Sequence, residues 1–148
     1  MPPCQSQEIV PGPGKCGDDL TWALDMETGE LTISGTGDMW DWGSGSDYSP
    51  WYPLAESIKK VTIQDAVTGI GNNAFYQCAM TKESIPKSVT ALVNEAFQGC
   101  ESLERVTLQE GLKTIGTWTF SYCTKLAEVT VPASVEMIET YAFDAATT

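Results

Sequence analysis

The chain has 148 residues, the span of one ordinary domain, and carries 20 Asp and Glu against 8 Lys and Arg for a formal net charge of −12. That balance argues against a nucleic-acid partner, because phosphate recognition needs a surplus of cations. Histidine is absent, which excludes Ser-His-Asp and Cys-His nucleophile arrangements and removes the commonest zinc and iron ligand.

In chain order, residues 1–15 read as a Pro- and Gly-rich flexible lead-in. They lack the basic start and apolar stretch of a signal peptide. No apolar run in the chain approaches the roughly 20 residues of a membrane-spanning helix. The abrupt Met-Pro-Pro start, and an end at Thr148 that coincides with the end of a repeat, point to a segment excised from a longer protein. Residues 16–57 read as a β-rich N-terminal cap. Leu20-Trp22-Leu24 and Leu31-Ile33 alternate as the strands of a hairpin, with Gly29 supplying the positive φ of its turn. The Gly- and Ser-rich stretch 34–53 holds Trp40, Trp42, Tyr48, Trp51 and Tyr52. Five aromatics there are too many for a solvated linker and suit the cover of a repeat stack's apolar end.

Residues 58–148 are four copies of a 22- or 23-residue repeat: 58–79, 80–102, 103–125 and 126–148. Each opens on an aliphatic-x-x-aliphatic-x-aliphatic frame: Ile58, Val61, Ile63; Met80, Glu83, Ile85; Leu103, Val106, Leu108; Leu126, Val129, Val131. Seventeen residues after each start stands Phe75, Phe97, Phe120 or Phe143, and three further on stands Cys78, Cys100, Cys123 or Ala146. Fixed spacing of this kind marks a solenoid, each copy burying its apolar side chains only against its neighbours. The frame alternates as a half-buried strand. A turn follows, then a second apolar pair (Val67/Ile70, Val89/Leu92, Leu112/Ile115, Val135/Ile138), then an Ala-Phe segment that suits a helical turn. The expected class is an α/β repeat solenoid. The first copy is one residue short between Cys78 and Met80.

The stretches VTIQDAVTGIGNNAFYQC, SIPKSVTALVNEAFQGC, VTLQEGLKTIGTWTFSYC and VTVPASVEMIETYAF closely resemble the BspA-like class of leucine-rich repeats. The upstream CGDDLTWALDMETGELTISGTGDM, SPWY and IKKVTI resemble the leader that often precedes them, so the resemblance spans about residues 16–148. It implies a short right-handed leucine-rich-repeat coil stack in a secreted or cell-surface bacterial protein, with roles in adhesion and partner binding. It carries over no catalytic residue. Glu83, in an apolar frame position, and Ala146, in the cysteine position, depart from the pattern.

No catalytic, cofactor or metal site can be assembled from these residues. The Cys78-Cys100-Cys123 column comes from equivalent positions of successive coils, so its thiols point in parallel rather than converging on a metal, and read as buried and inert. Cys4 and Cys16 admit a disulfide in a secreted protein. Asp38, Asp41 and Asp47 lack the spacing of a calcium loop.

Three surfaces remain as candidates. The outward third frame position carries Lys60, Lys82, Arg105 and Glu128, with Lys59 beside Lys60. Stacked strands would align these as one basic row, flanked by the hydroxyls of Thr62, Ser84, Thr107 and Thr130, fit for an acidic protein segment or an anionic glycan. Trp118, Tyr122 and Tyr141 would form an outward aromatic patch, and the aromatic-rich loop 40–52 offers the alternative of a carbohydrate- or cell-wall-binding module. An uncovered C-terminal coil would favour end-to-end self-association. The function expected is an extracellular, non-enzymatic protein-binding or adhesion module. Phe97 and Phe120 are expected to stack in the core. Glu83 is expected to distort its strand and to reach solvent or Lys59 or Lys60 rather than lie buried.

Overall fold

A computed structural model describes residues 14–42 and 49–144. The readings placed on Cys4, Asp47, Tyr48 and Ala146 fall outside the described residues. Twelve short strands follow in order: β1 Gly14–Lys15, β2 Leu20–Asp25, β3 Glu30–Gly35, β4 Gly37–Asp38, β5 Lys60–Ile63, β6 Val67–Ile70, β7 Lys82–Ile85, β8 Ala91–Leu92, β9 Arg105–Leu108, β10 Thr114–Ile115, β11 Glu128–Thr130 and β12 Met137–Ile138. A 3-10 helix, Tyr52–Ser57, leads into β5.

Each coil contributes one strand to each of two parallel faces. The first apolar frame supplies β5, β7, β9 and β11, and the second apolar pair supplies β6, β8, β10 and β12. On the second face the order is β12-β10-β8-β6-β4, with Ile70, Leu92, Ile115 and Ile138 in register. The hairpin expected before the repeats is present: β2 and β3 pair antiparallel, with Trp22 opposite Ile33. β3 then pairs parallel with β5, Leu31 against Val61 and Ile33 against Ile63, so the hairpin continues the frame of the coils by one strand. β4 does the same for the second face by pairing with β6. Gly14 and Lys15, read from sequence as lead-in, form β1 against β2.

One aromatic column runs the length of the core. Trp51 stacks on Phe75 at 5.8 Å, Phe75 on Phe97 at 5.2 Å, Phe97 on Phe120 at 5.5 Å and Phe120 on Phe143 at 5.3 Å. Trp51, Phe75, Phe97 and Phe120 are fully buried. Trp51 thus fills the Phe position below the first coil, and its indole N–H donates to the Ala74 carbonyl at 2.7 Å. Beside the rings, the Cys100 thiol donates to the Phe75 carbonyl at 3.1 Å and that of Cys123 to the Phe97 carbonyl at 3.2 Å. Burial raises the pKa of the Cys78 and Cys100 thiols, which keeps them protonated. Cys16 is a free, buried thiol pushed up to about 12 by desolvation.

The α/β expectation is corrected in one respect: no α-helix occurs among the described residues. The Phe segment is a run of turns whose bends place Asn73, Glu95, Trp118 and Tyr141, two residues before the Phe, at φ between 57° and 64°. Gln77, Gly99 and Tyr122, two residues after it, are also left-handed. Side chains do not dictate those angles, since only Gly and Asn adopt them readily. The coil imposes them, because each turn's N–H groups must reach the carbonyls of the next coil, as Phe97 does to Thr119 at 2.9 Å.

Candidate functional site

The strand face built from the apolar frames is not continuous. One sheet runs β1-β2-β3-β5 and a separate one runs β11-β9-β7, with no backbone pairing between β5 and β7. At the paired seams, two successive amides converge on one carbonyl: Lys59 and Lys60 on Gly29, Glu104 and Arg105 on Thr81, Ala127 and Glu128 on Glu104, at 2.7–3.3 Å. At the open seam that fork is missing, and Ala79 N–H alone donates to the Ile58 carbonyl at 3.0 Å. Elsewhere the same two coils stay joined. β6 pairs with β8, and the amides of Asn73, Phe75 and Gln77 donate to the carbonyls of Asn94, Ala96 and Gln98. The first coil returns one residue early, through Ala79 alone, where later coils use two residues.

Glu83 lies at this seam, in the frame position held by Val61, Val106 and Val129. It is 4 % exposed, and neither carboxylate oxygen has a hydrogen-bond partner. Burial raises its pKa well above the ordinary 4.5, and the Lys60 ammonium pulls it partly back. The expected distortion of the Glu83 strand does not occur, since β7 is regular along its whole length. The expected escape is corrected: Glu83 stays inside, β7 pairs regularly with β9, and Glu83 stands opposite Val106. An ionised carboxylate without partners costs several kcal/mol to bury, so the neutral acid is the form the fold accommodates.

Between β5 and β7 opens a cleft of about 470 Å3, lined by Lys60, Thr62, Lys82, Ser84, Arg105 and Thr107 together with Val61, Ile63 and Glu83. The basic row is thereby reshaped. Lys82, Arg105 and Glu128 are in register across β7, β9 and β11, but Lys60 pairs only with Glu30 of β3, across the gap from Lys82. Arg105 Nε donates to Glu128 at 3.0 Å, both side chains more than half exposed. Two lysines, one on each lip of the seam, remain outside the ion pairs of the described residues. Lys59 is exposed but precedes β5 and is not part of the cleft, and Thr130 lies beyond it on β11. The row, the short return and the departure at Glu83 were each legible in the sequence. Their convergence on one cleft was not, because neither a missing residue nor a misplaced carboxylate states which sheet bonds will be lost.

The aromatic candidates fall in two places. Trp118 stacks on Tyr141 with centroids 4.7 Å apart, while Tyr122 and Tyr141 are about half exposed. In loop 40–52, Trp51 belongs to the core column and Trp42 packs against it edge to face at 6.1 Å. Trp40 is 41 % exposed, with its indole N–H donating to Asp18 at 3.0 Å. Asp38 accepts from the Thr68 hydroxyl and Asp41 from the Asn72 amide, so both tie this loop to the first coil. Among the described residues no group of three Asp, Glu or Cys side chains could hold a metal ion, and no helix is long and apolar enough to cross a membrane.

The chain is similar to a leucine-rich repeat protein of Eubacterium ventriosum at 25 % identity and a TM-score of 0.60, over 82 % of this chain and 38 % of that one. It is also similar to a leucine rich cell surface protein of Faecalibacterium prausnitzii, at 25 % identity and a TM-score of 0.50, over 87 % of this chain and 45 % of that one. It therefore spans less than half the length of either solved chain. No curated protein matches it. The model of the BspA type leucine rich repeat region matches residues 53–148 in six copies, and the chain belongs to that family.

Proposed function

We propose that the chain is an extracellular, non-enzymatic binding or adhesion module of a bacterial cell-surface protein. In this reading a short right-handed stack of four coils, 58–79, 80–102, 103–125 and 126–148, rests on the β-rich cap 16–57. Its strand face receives an acidic partner. The observation that carries the reading is the concentration of Lys60, Lys82 and Arg105 around one cleft of a chain whose net charge is −12. Like charges gathered on one sheet face are unfavourable unless an anion answers them. Thr107 and Thr130 add hydroxyls along the same face. Retention on immobilised poly-L-glutamate should fall as salt is added, and Lys82→Glu with Arg105→Glu should abolish it without changing the unfolding transition. Unchanged retention in that double variant would move the binding surface to the Trp118, Tyr122 and Tyr141 edge.

A second surface has its own observation. Val131, Met137 and Ile138 in the last coil are each 44–53 % exposed, an apolar face suited to end-to-end association of coils. Concentration-dependent sedimentation that Met137→Lys abolishes would support it. The carbohydrate reading of loop 40–52 now rests on Trp40, since Trp51 is fully buried and engaged in the core.

A further inference from the structure

We propose that the return edge of the stack holds a second ligand site, a cleft that receives a neutral oligosaccharide between the two Glu-Ser returns 56–57 and 101–102. The site lies on a different edge from the strand face, and the proposal goes beyond the acidic-partner reading without resting on it. The cleft, of about 620 Å3, coincides with the short return of the first coil. Ala79 alone joins Cys78 to Met80, whereas Glu101 and Ser102 join Cys100 to Leu103, and Glu56 and Ser57 lead into Ile58 from the cap. The same dipeptide therefore flanks the missing residue on both sides, and all five residues line the cleft. Gly99 lines it too, at the turn position that holds Gln77 in the preceding coil and the half-exposed Tyr122 in the following one. All three have φ between 59° and 74°. The backbone is thus common to the coils, and only the missing side chain at Gly99 leaves the space open.

The lining decides what enters. It contains no Lys or Arg, so an anion would meet two carboxylates and no counter-charge. Glu56 and Glu101 are exposed and stand outside the ion pairs of the described residues. Two coil spacings separate them, roughly 10 Å, too far to share one metal ion, whose oxygen ligands lie within about 2.6 Å. A cationic peptide would be drawn to this chain almost anywhere, given its net charge of −12, and needs no cleft. A neutral sugar needs acceptors for its hydroxyls, a flat apolar wall, and a donor for its oxygens. Tyr52 supplies the wall, held in place by stacking on Tyr76 at 5.8 Å. Its hydroxyl donates to Gln77 Oε1 at 3.1 Å, which fixes that amide and leaves the exposed Gln77 NH2 group as a donor at the cleft. Ser57 and Ser102 set a hydroxyl beside each carboxylate. The span between the two lips suits hydroxyls on neighbouring rings of a sugar chain, not a single monosaccharide.

The test is calorimetric titration of the chain with cellohexaose, maltohexaose and chitohexaose, three neutral sugar chains that differ in linkage and substituent. Expected is binding of at least one, at millimolar affinity or tighter, with no change between low and high salt because the ligand carries no charge. Glu56→Ala and Glu101→Ala should each weaken it at least tenfold and leave the unfolding midpoint where it is, since both side chains are exposed. Gly99→Tyr puts the residue of the following coil into the gap, with its Cβ 3.0 Å from Gln77 Cγ, and should block binding. The two glutamate variants decide the matter should that chain not fold. Lys82→Glu with Arg105→Glu should leave sugar binding untouched, which separates this site from the strand face. Binding of none of the three sugars would overturn the proposal. Sugar binding lost in Trp40→Ala but kept in Glu101→Ala would overturn it in favour of loop 40–52. Hexa-L-lysine bound more tightly than every sugar, with the affinity lost in Glu101→Ala, would overturn it in favour of a cation site.

Discussion

The seam between the first two coils and the seam between the next two are built from the same repeat pattern, yet one is open and the other closed. At the closed seam, Lys82, Glu83, Ser84 and Ile85 pair residue for residue with Arg105 to Leu108. At the open one, Lys60–Ile63 finds no partner in β7. Two local differences coincide with the change: a return loop one residue shorter, and a carboxylate where the frame has valine. The aromatic column nevertheless crosses both seams at similar spacing, 5.2 and 5.5 Å. A solenoid can therefore lose pairing on one face while the core and the other face hold the coils together, since each coil meets its neighbour along three separate lines.

The largest expected effect tests the continuity of the column. Phe97→Ala, which removes the ring shared by both seams, should cost about 3–5 kcal/mol in reversible chemical unfolding, and Phe120→Ala a similar amount. A loss below about 1 kcal/mol would mean that the column does not bridge the open seam.

Closing the seam should work in the opposite direction. Glu83→Val replaces a partnerless buried acid with the residue of the neighbouring coils and should stabilise the fold by about 1–4 kcal/mol, read as a higher denaturant midpoint. A destabilised Glu83→Val chain would show that the carboxyl has a structural partner in solution and that the short return alone opens the seam.

The two seams should also differ in their response to pH. The folded chain holds the Glu83 proton more tightly than the unfolded chain, whose value is near the ordinary 4.5. This part of the stability is therefore whole below 4.5 and is lost as pH rises through the raised folded value. Hydrogen exchange of the β5 and β7 amides should quicken over that range more than exchange of the β9 and β11 amides, and Glu83→Gln should remove the difference.

Smaller effects are expected at the turn edge and on the rim. Tyr122 occupies a left-handed position at φ 61°, where the preceding coil has Gly99. Tyr122→Gly should raise stability by about 1 kcal/mol, the order of the left-handed penalty for an L-residue. Arg105→Ala removes an exposed ion pair and should change stability by no more than about 0.5 kcal/mol, while still weakening an anionic partner. A larger stability loss would mark the Arg105–Glu128 pair as structural and not available to a ligand.

The repeat spacing by itself determined the two strands per coil, the Phe column and the buried thiols, because apolar periodicity and burial are local consequences of the strand's two-residue period. It also placed Lys82, Arg105 and Glu128 on one line, since strands of equal spacing stack in register. Only the tertiary structure decided that the Phe segment is a left-handed turn and not a helix, as the next coil's carbonyls set its backbone angles. Only the tertiary structure put Trp51 at the foot of the column and left Lys60 across a gap from Lys82. Glu83 shows the limit most plainly. Its sequence position marks a carboxylate in an apolar frame, but whether it escapes or stays depends on the balance between its desolvation and the bonds the sheet must break to release it. That balance is struck among β5, β7 and β9 together, and here it leaves the acid inside and the seam open.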